Sequence, residues 1–191
     1  MARYGKDHKL ATRRRIIEAA GRRLKRDGID GSGVAALMAD AGLTNGAFYA
    51  HFDSKEDLVA ATVAEQISGQ RAALVEVEPG WAGLEQMVRS YLSRGHRDDP
   101  GNGCPSAALL DEIGRSPDSV RRAYTDGMVA LIDDLAARLA PEDLTSARVR
   151  VFAVFASMVG TLQLARALTD RDLSDSILEL GVEQALRQLR S

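Results

Sequence analysis

Gly42-Leu43-Thr44-Asn45-Gly46-Ala47-Phe48-Tyr49-Ala50-His51-Phe52-Asp53-Ser54-Lys55-Glu56-Asp57-Leu58 is the stretch on which the reading of this chain turns. Gly42-Leu43-Thr44 separates two short segments with helical spacing, about residues 34–41 and 44–50. Glycine supplies the left-handed residue that a sharp turn requires, and Thr44 is placed to cap the helix that follows, as Ser32 is for the one before. Two short helices so joined form a helix-turn-helix, whose second helix enters the DNA major groove with its N-terminal residues at base edges. Asn45 is the candidate base reader, because its amide donates and accepts at once on adenine. Gly46 and Ala47 keep the surface low, so that backbone and DNA approach closely. Tyr49, four residues on, shares the face of Asn45, and its hydroxyl is placed to reach a phosphate. Lys55 opens the next helix, where free N–H groups and the helix dipole favour an anion. Phe48 and Phe52 are expected to turn inward against Leu24, Val34 and Leu37. Taken alone, Gly42-Leu43-Thr44 also fits an ordinary helix connection.

Outward from this stretch the pattern is helical everywhere, with no sustained period-2 alternation. Before it, Ile16, Ile17, Ala20 and Leu24 repeat at helical spacing over about residues 12–27, and Gly28 stops the run. After it, Ser54-Lys55-Glu56-Asp57 resembles a capping box, with Asp for the usual Glu or Gln. It opens a longer helix over about residues 54–76. Further helices are expected at about 81–94, 105–115, 116–139, 142–168 and 174–189, with 97–103 (RDDPGNG) the most loop-like segment. The fold class is therefore all-α, with about nine helices. A helix-turn-helix domain is expected over residues 1–53 and a second helical domain over 54–191.

The 191 residues are 45% hydrophobic and 27% charged, which suits a folded chain with a sizeable core. The net charge of −2 conceals an asymmetry. Residues 1–28, including Arg3 and Lys6, carry ten Lys or Arg against three acids, whereas the rest has 15 basic and 24 acidic residues. A basic end on an acidic body points to a polyanion partner for that end; a solvated basic helix face is the plainer alternative. The single cysteine, Cys104, has no intrachain partner, consistent with a reducing, cytoplasmic setting. The longest charge-free apolar run, 15 residues over 151–165, is shorter than the roughly 20 needed to cross a bilayer, so no membrane partner is expected.

Residues 16–58 resemble the tetracycline-repressor (TetR) family of bacterial regulators. Ile16-Ile17-Glu18-Ala19-Ala20, Gly28 and Met38-Ala39-Asp40-Ala41-Gly42-Leu43-Thr44 match it, and the run from Gly46 to Leu58 matches almost position by position. The resemblance implies a homodimer on a palindromic double-stranded operator, usually repressing and released by a ligand. It also implies phosphate contacts from Tyr49, His51 and Lys55. The sequence departs from the pattern at Gly33, where a hydroxyl residue is usual, and at Arg23, which replaces an apolar residue and is expected to snorkel.

The region around 142–168 is apolar on nearly every face, so it must be covered all round. One side is expected to meet a second subunit; completing a monomeric core is the alternative. The expected dimer residues are Phe155, Val159, Gly160 and Leu162, with Ile177, Leu178, Gly181 and Ala185 on the last helix. The resemblance places the family's dimer bundle on these two helices. A mostly apolar small-molecule effector is expected between the middle helices. Its candidate lining is Trp81, Met87, Tyr91, Leu110 and Ile113, then Tyr124, Met128, Phe152 and Phe155, with Cys104 beside them. Plain core is the alternative for each. Gly103-Cys104-Pro105-Ser106-Ala107-Ala108-Leu109 further resembles a branch of the family in which some members sense electrophiles or oxidants through that cysteine. An inert buried thiol is favoured, since no second cysteine is available to resolve an oxidised form.

An enzyme would have to draw on His8, His51, His96, Cys104 and the acids. No Cys-x-x-Cys, His-Glu-x-x-His, phosphate loop or Gly-x-Ser-x-Gly occurs. No catalytic residue, metal ligand or cofactor is therefore expected. His96 reads as a solvated loop histidine rather than as a base for Cys104.

Overall fold

Helix-favouring Lys, Arg, Ala and Leu fill the chain up to Asp27, and the first helix starts ten residues earlier than its apolar repeat suggests. The computed structural model describes residues 2–190, with side chains from Asp7 onward; those of Arg3 and Lys6 lie outside the described residues. The described residues form α1 (Ala2–Asp27), α2 (Val34–Asp40), α3 (Lys55–Ala73), α4 (Trp81–Tyr91) and α5 (Arg94–Asp98). Then come α6 (Pro105–Arg115), α7 (Asp118–Leu139), α8 (Leu144–Ala167) and α9 (Arg171–Arg190), and no strand is present among them. The fold is all-α, as the sequence implied.

Several local expectations are corrected. The segment after the sharp turn is a 3-10 helix, Asn45–Ala50, not an α-helix. Ser32 is not the cap of α2: Gly33 holds that position, and the Ser32 hydroxyl, fully buried, donates to the Gly28 carbonyl. Thr44 occupies the N-cap position without a side-chain cap bond. Ser54 does cap α3, accepting from the Asp57 N–H at 3.1 Å, while the Asp57 carboxylate accepts from the Asp53 N–H at 3.3 Å. Residues 97–103 are not a loose loop. Ser93 caps α5 through the His96 N–H, and Asp99 caps a 3-10 turn at Pro100–Asn102. Arg97 is buried, with its guanidinium on Asp98, Ser174 and Asp175.

The core of the N-terminal helices is Ile16, Ala20 and Leu24 of α1 with Leu37, Met38, Phe48 and Phe52. The Phe48 and Phe52 rings stack with centroids 5.8 Å apart. This core does not stop at Asp53. It runs on through Leu58, Val63 and Ile67 of α3 into Ile132 of α7 and Val151 of α8. A second cluster joins Val88 of α4, Cys104, and the facing sides of α8 and α9, including Leu162, Leu178 and Ala185. With 24 residues and a stretch of mean hydropathy 1.3, α8 is long and apolar enough to cross a membrane by length and composition, contrary to the shorter span expected. It packs here against α7 and α9 and keeps Val149, Phe152 and Leu164 exposed.

Candidate nucleic-acid interface and internal cavity

The turn after α2 is closed by two backbone bonds: Leu43 N–H donates to the Met38 carbonyl and Gly42 N–H to the Ala39 carbonyl, each at 2.9 Å. This is the paired bonding of a Schellman cap, with Gly42 at φ +68° and Leu43 folded back onto the core. It aims the 3-10 helix outward. Asn45, Gly46, Tyr49 and Thr44 are exposed, Tyr49 by 74%, while Ala47 rests partly buried on the core. Tyr49 is held edge-on to Phe48 at 5.2 Å, so its hydroxyl projects from a fixed ring.

Beside this helix lies the first half of α1. Arg13 reaches across to donate to the His51 carbonyl at 3.2 Å, with its guanidinium 4.1 Å from the centre of the Phe52 ring. His51 is partly buried, and its Nδ1 has no hydrogen-bond partner. Burial first, then the charges of Lys9, Arg13 and His8, hold it below its ordinary value of 6.5, so the ring is neutral at pH 7. The basic residues divide along α1. Arg22, Arg23 and Arg26 pair with Glu18, Asp27 and Asp40, whereas Lys9, Arg14 and Arg15 form no ion pair among the described residues. The unpaired cations therefore lie in the first half of α1, where Lys9 and Arg13 are close enough to act on His51. Arg23 does not simply snorkel; it bridges Asp27 and Asp40 and so ties α1 to α2. Lys55, also expected at a phosphate, has an internal partner. Its ammonium donates to the Ile29 carbonyl at 2.6 Å, closing the α1–α2 turn onto α3.

A cavity of about 980 Å³ lies among α1, α3, α4, α7, α8 and the segment before α6. Of the ten residues expected to line it, it brings together Met87, Tyr91, Cys104 and Phe155. The other six are elsewhere. Ile113 and Met128 are in the continuous core, and Tyr124 shares a hydrogen bond with Ser106. Leu110 and Phe152 face outward, and Trp81 packs on the α8–α9 cluster under Arg190. Helical spacing marks which residues are apolar, but not which side of a bundle helix meets a void. The lining that sequence reasoning missed includes apolar residues such as Leu131 and Met158 and the polar Lys25, Gln66, Gln70 and His96.

His96 is not a solvated loop residue. Its Nδ1 lies 2.7 Å from the Tyr91 carbonyl, its Nε2 accepts from the Cys104 backbone N–H at 2.9 Å, and the Tyr91 ring stands edge-on at 4.7 Å. Those partners require the neutral ring with the proton on Nδ1, and they keep Nε2 from acting as a base for the thiol. Cys104 is 2% exposed, at the N-cap of α6. Burial outweighs the Tyr91 carbonyl and holds His96 below its ordinary value of 6.5. The unfolded chain thus takes up a proton near 6.5 that the folded chain accepts only at lower pH. Stability is complete above 6.5 and declines as the pH falls below it, with His51 contributing in the same direction. The melting temperature should fall between pH 7 and pH 5.5, and less steeply in His96→Asn. An unchanged slope in that variant would remove His96 from this account.

A model of the "Bacterial regulatory proteins, tetR family" matches residues 16–62, the span that holds the helix-turn-helix and its entry into α3. Residues 16–62 thus match the helix-turn-helix module of the tetR family. The match supports a DNA-binding transcriptional regulator rather than an enzyme. Solved structures of low identity share the fold over nearly the whole chain. E. coli NemR in its reduced form superposes with a TM-score of 0.77 at 18% identity, covering 92% of this chain and 95% of that one. A TetR-family regulator from Agrobacterium tumefaciens gives 0.74 at 22%, covering 92% and 98%. Bacillus subtilis FadR in complex with stearoyl-CoA gives 0.64 at 19%, covering 88% and 96%. No curated protein sequence matches the regulator.

Proposed function

We propose that the protein is a cytoplasmic, ligand-released repressor that binds a palindromic operator as a homodimer. Residues 1–53 read DNA, and residues 54–191 bind effector and dimerise. The observation that carries the reading is the placement of the cavity: α1 and α3, which frame the helix-turn-helix, also form part of its wall. An occupant of the cavity therefore presses on the helices that set the reading head. FadR, a neighbour in fold, was solved in complex with stearoyl-CoA, which supports a small-molecule effector for this architecture. By linkage, an effector that weakens operator binding must itself be weakened by operator to the same factor.

On the DNA face, Asn45 takes a base edge, Thr44, Gly46 and Ala47 allow close approach, and Tyr49 and His51 meet phosphates together with Lys9 and Arg14. Lys55 supports this face from behind through Ile29 rather than through a phosphate of its own. Dimerisation uses the sides of α8 and α9 left open by internal packing. Leu162, Leu178 and Ala185 are buried between these helices, Val159 is 4% exposed, and partly buried Gly181 abuts Thr161 and Leu92, so packing within the subunit already covers much of these expected dimer residues. Ile177 is partly buried on the same cluster, and Phe155 lines the cavity. Val149, Phe152 and Leu164 of α8 and Leu173 and Leu180 of α9 are exposed, and Gly160 has open space beyond it.

The test is selection of operators from a random DNA pool. The wild type should recover an inverted repeat whose half-site centres lie one turn, roughly 34–36 Å, apart. Asn45→Ala should relax one base pair in each half, at a cost of about 1–3 kcal/mol. Recovery of unordered sequence by the wild type, or of an unchanged motif by Asn45→Ala, would defeat this division of labour.

A further inference from the structure

Lys25 is a charged side chain in an unusual place. It is carried on α1, in the helix that supports the reading head, yet it is only 8% exposed and lines the cavity. Its Nζ donates to Gln66 Oε1 at 2.6 Å and to the Gly103 carbonyl at 2.8 Å. An ammonium has three donors, so one remains. No carboxylate lies within ion-pair distance of it among the described residues. The carboxylates that border the cavity, Glu65, Glu76 and Asp99, are exposed at its rim. A buried ammonium without a counter-ion is costly, and its burial pushes Lys25 below its ordinary range. The same wall carries further unsatisfied groups, Gln70 Oε1 and the Tyr91 hydroxyl. The Tyr91 hydroxyl is buried without a hydrogen bond of ordinary geometry, its contact being the weakly bonding Cys104 thiol; burial first, then that thiol, pushes its ionisation upward, so it stays protonated and able to donate. Met87, Leu131, Phe155 and Met158 supply apolar wall in the same cavity.

We propose that the cavity takes an organic anion with an apolar body, such as a monocarboxylate, whose charged group is held by Lys25 and the Tyr91 hydroxyl. This rests on the reading of the cavity as an effector site and specifies the chemistry of the effector. The carboxylate supplies the counter-ion that the folded protein lacks, and the apolar body replaces water against the thioethers and Phe155. The mode of release follows from the two bonds that Lys25 already makes. They tie α1 to Gln66 of α3 and to the chain just before α6, where α1 also contacts α6 directly. An anion that draws the ammonium into the cavity loosens that tie, so the signal enters the reading head through α1 as well as along α3.

The experiment follows displacement of the neutral dye N-phenyl-1-naphthylamine by decanoate and by 1-decanol, which differ only at the head group. Decanoate should bind the wild type at least about tenfold more tightly than decanol. Lys25→Met should weaken decanoate by about 10- to 100-fold, the range for a hydrogen bond to a charged group, and leave decanol nearly unchanged. Lys25→Arg should keep the preference for the acid. Equal affinity of the wild type for acid and alcohol, or a preference that survives Lys25→Met, overturns the proposal while the cavity remains an effector site. Dye uptake that neither compound reverses has the same consequence. No dye uptake at all overturns the cavity reading and the proposal together. The acid–alcohol comparison on the wild type decides the matter even where Lys25→Met does not fold.

Discussion

Phe152→Glu and Gly160→Glu should each convert a dimer to a monomer in light scattering and reduce operator affinity by about 10²- to 10⁴-fold, the scale of the advantage lost when two linked sites are separated. Phe152 is 47% exposed in the single chain and stands in a row with Val149 and Leu164, while Gly160 leaves space for a close approach. Exposed rows of large apolar side chains on one face mark an interaction surface. Burying a glutamate there without a partner costs more than a weak interface returns. Because both positions are open in the subunit, the variants should keep the wild-type helix content by circular dichroism. Phe155→Glu is a different experiment, since that side chain lines the cavity and would report on ligand uptake. A wild-type protein that stays monomeric at micromolar concentration, or variants that stay dimeric, would place the interface elsewhere.

Phe48→Ala should cost about 3–5 kcal/mol, a large share of the roughly 5–15 kcal/mol that holds a domain together. Phe48 is 1% exposed, stacks on Phe52 and supports the Tyr49 ring from beneath, so its loss empties the centre of the helix-turn-helix and frees the reading head. The core of this region is continuous with α3 and α7. The loss should therefore shift a single unfolding transition in guanidinium chloride rather than melt the N-terminal helices separately. Tyr49→Ala, at an exposed neighbouring position, should move the midpoint very little while weakening DNA binding. A Phe48→Ala midpoint within error of the wild type would show that the cavity collapses without cost. An early separate transition would show that residues 1–53 fold on their own.

The helix-turn-helix could be read from the sequence because its determinants are local. Gly42 is needed for a left-handed turn, Ser54 for a cap, and Phe48 and Phe52 for one buried face; each acts on residues within a few positions. The basic character of the first helix and the all-α class depend likewise on composition and period. Local patterns did not decide what lies opposite a given helix face. Leu162 and Phe152 look alike at helical spacing, yet packing of α8 on α9 buries the first and leaves the second open. Lys25 reads as one more cation in a basic helix until α3 and the start of α6 close over it. His96 reads as part of a loop until the Tyr91 carbonyl and the Cys104 N–H fix its ring. The sequence alone determined the helices and the reading head, since short-range sterics and hydrogen bonding specify them. Only the tertiary structure decided which buried polar groups share a cavity and which apolar side chains remain for a partner, because contacts between residues far apart in the chain set both.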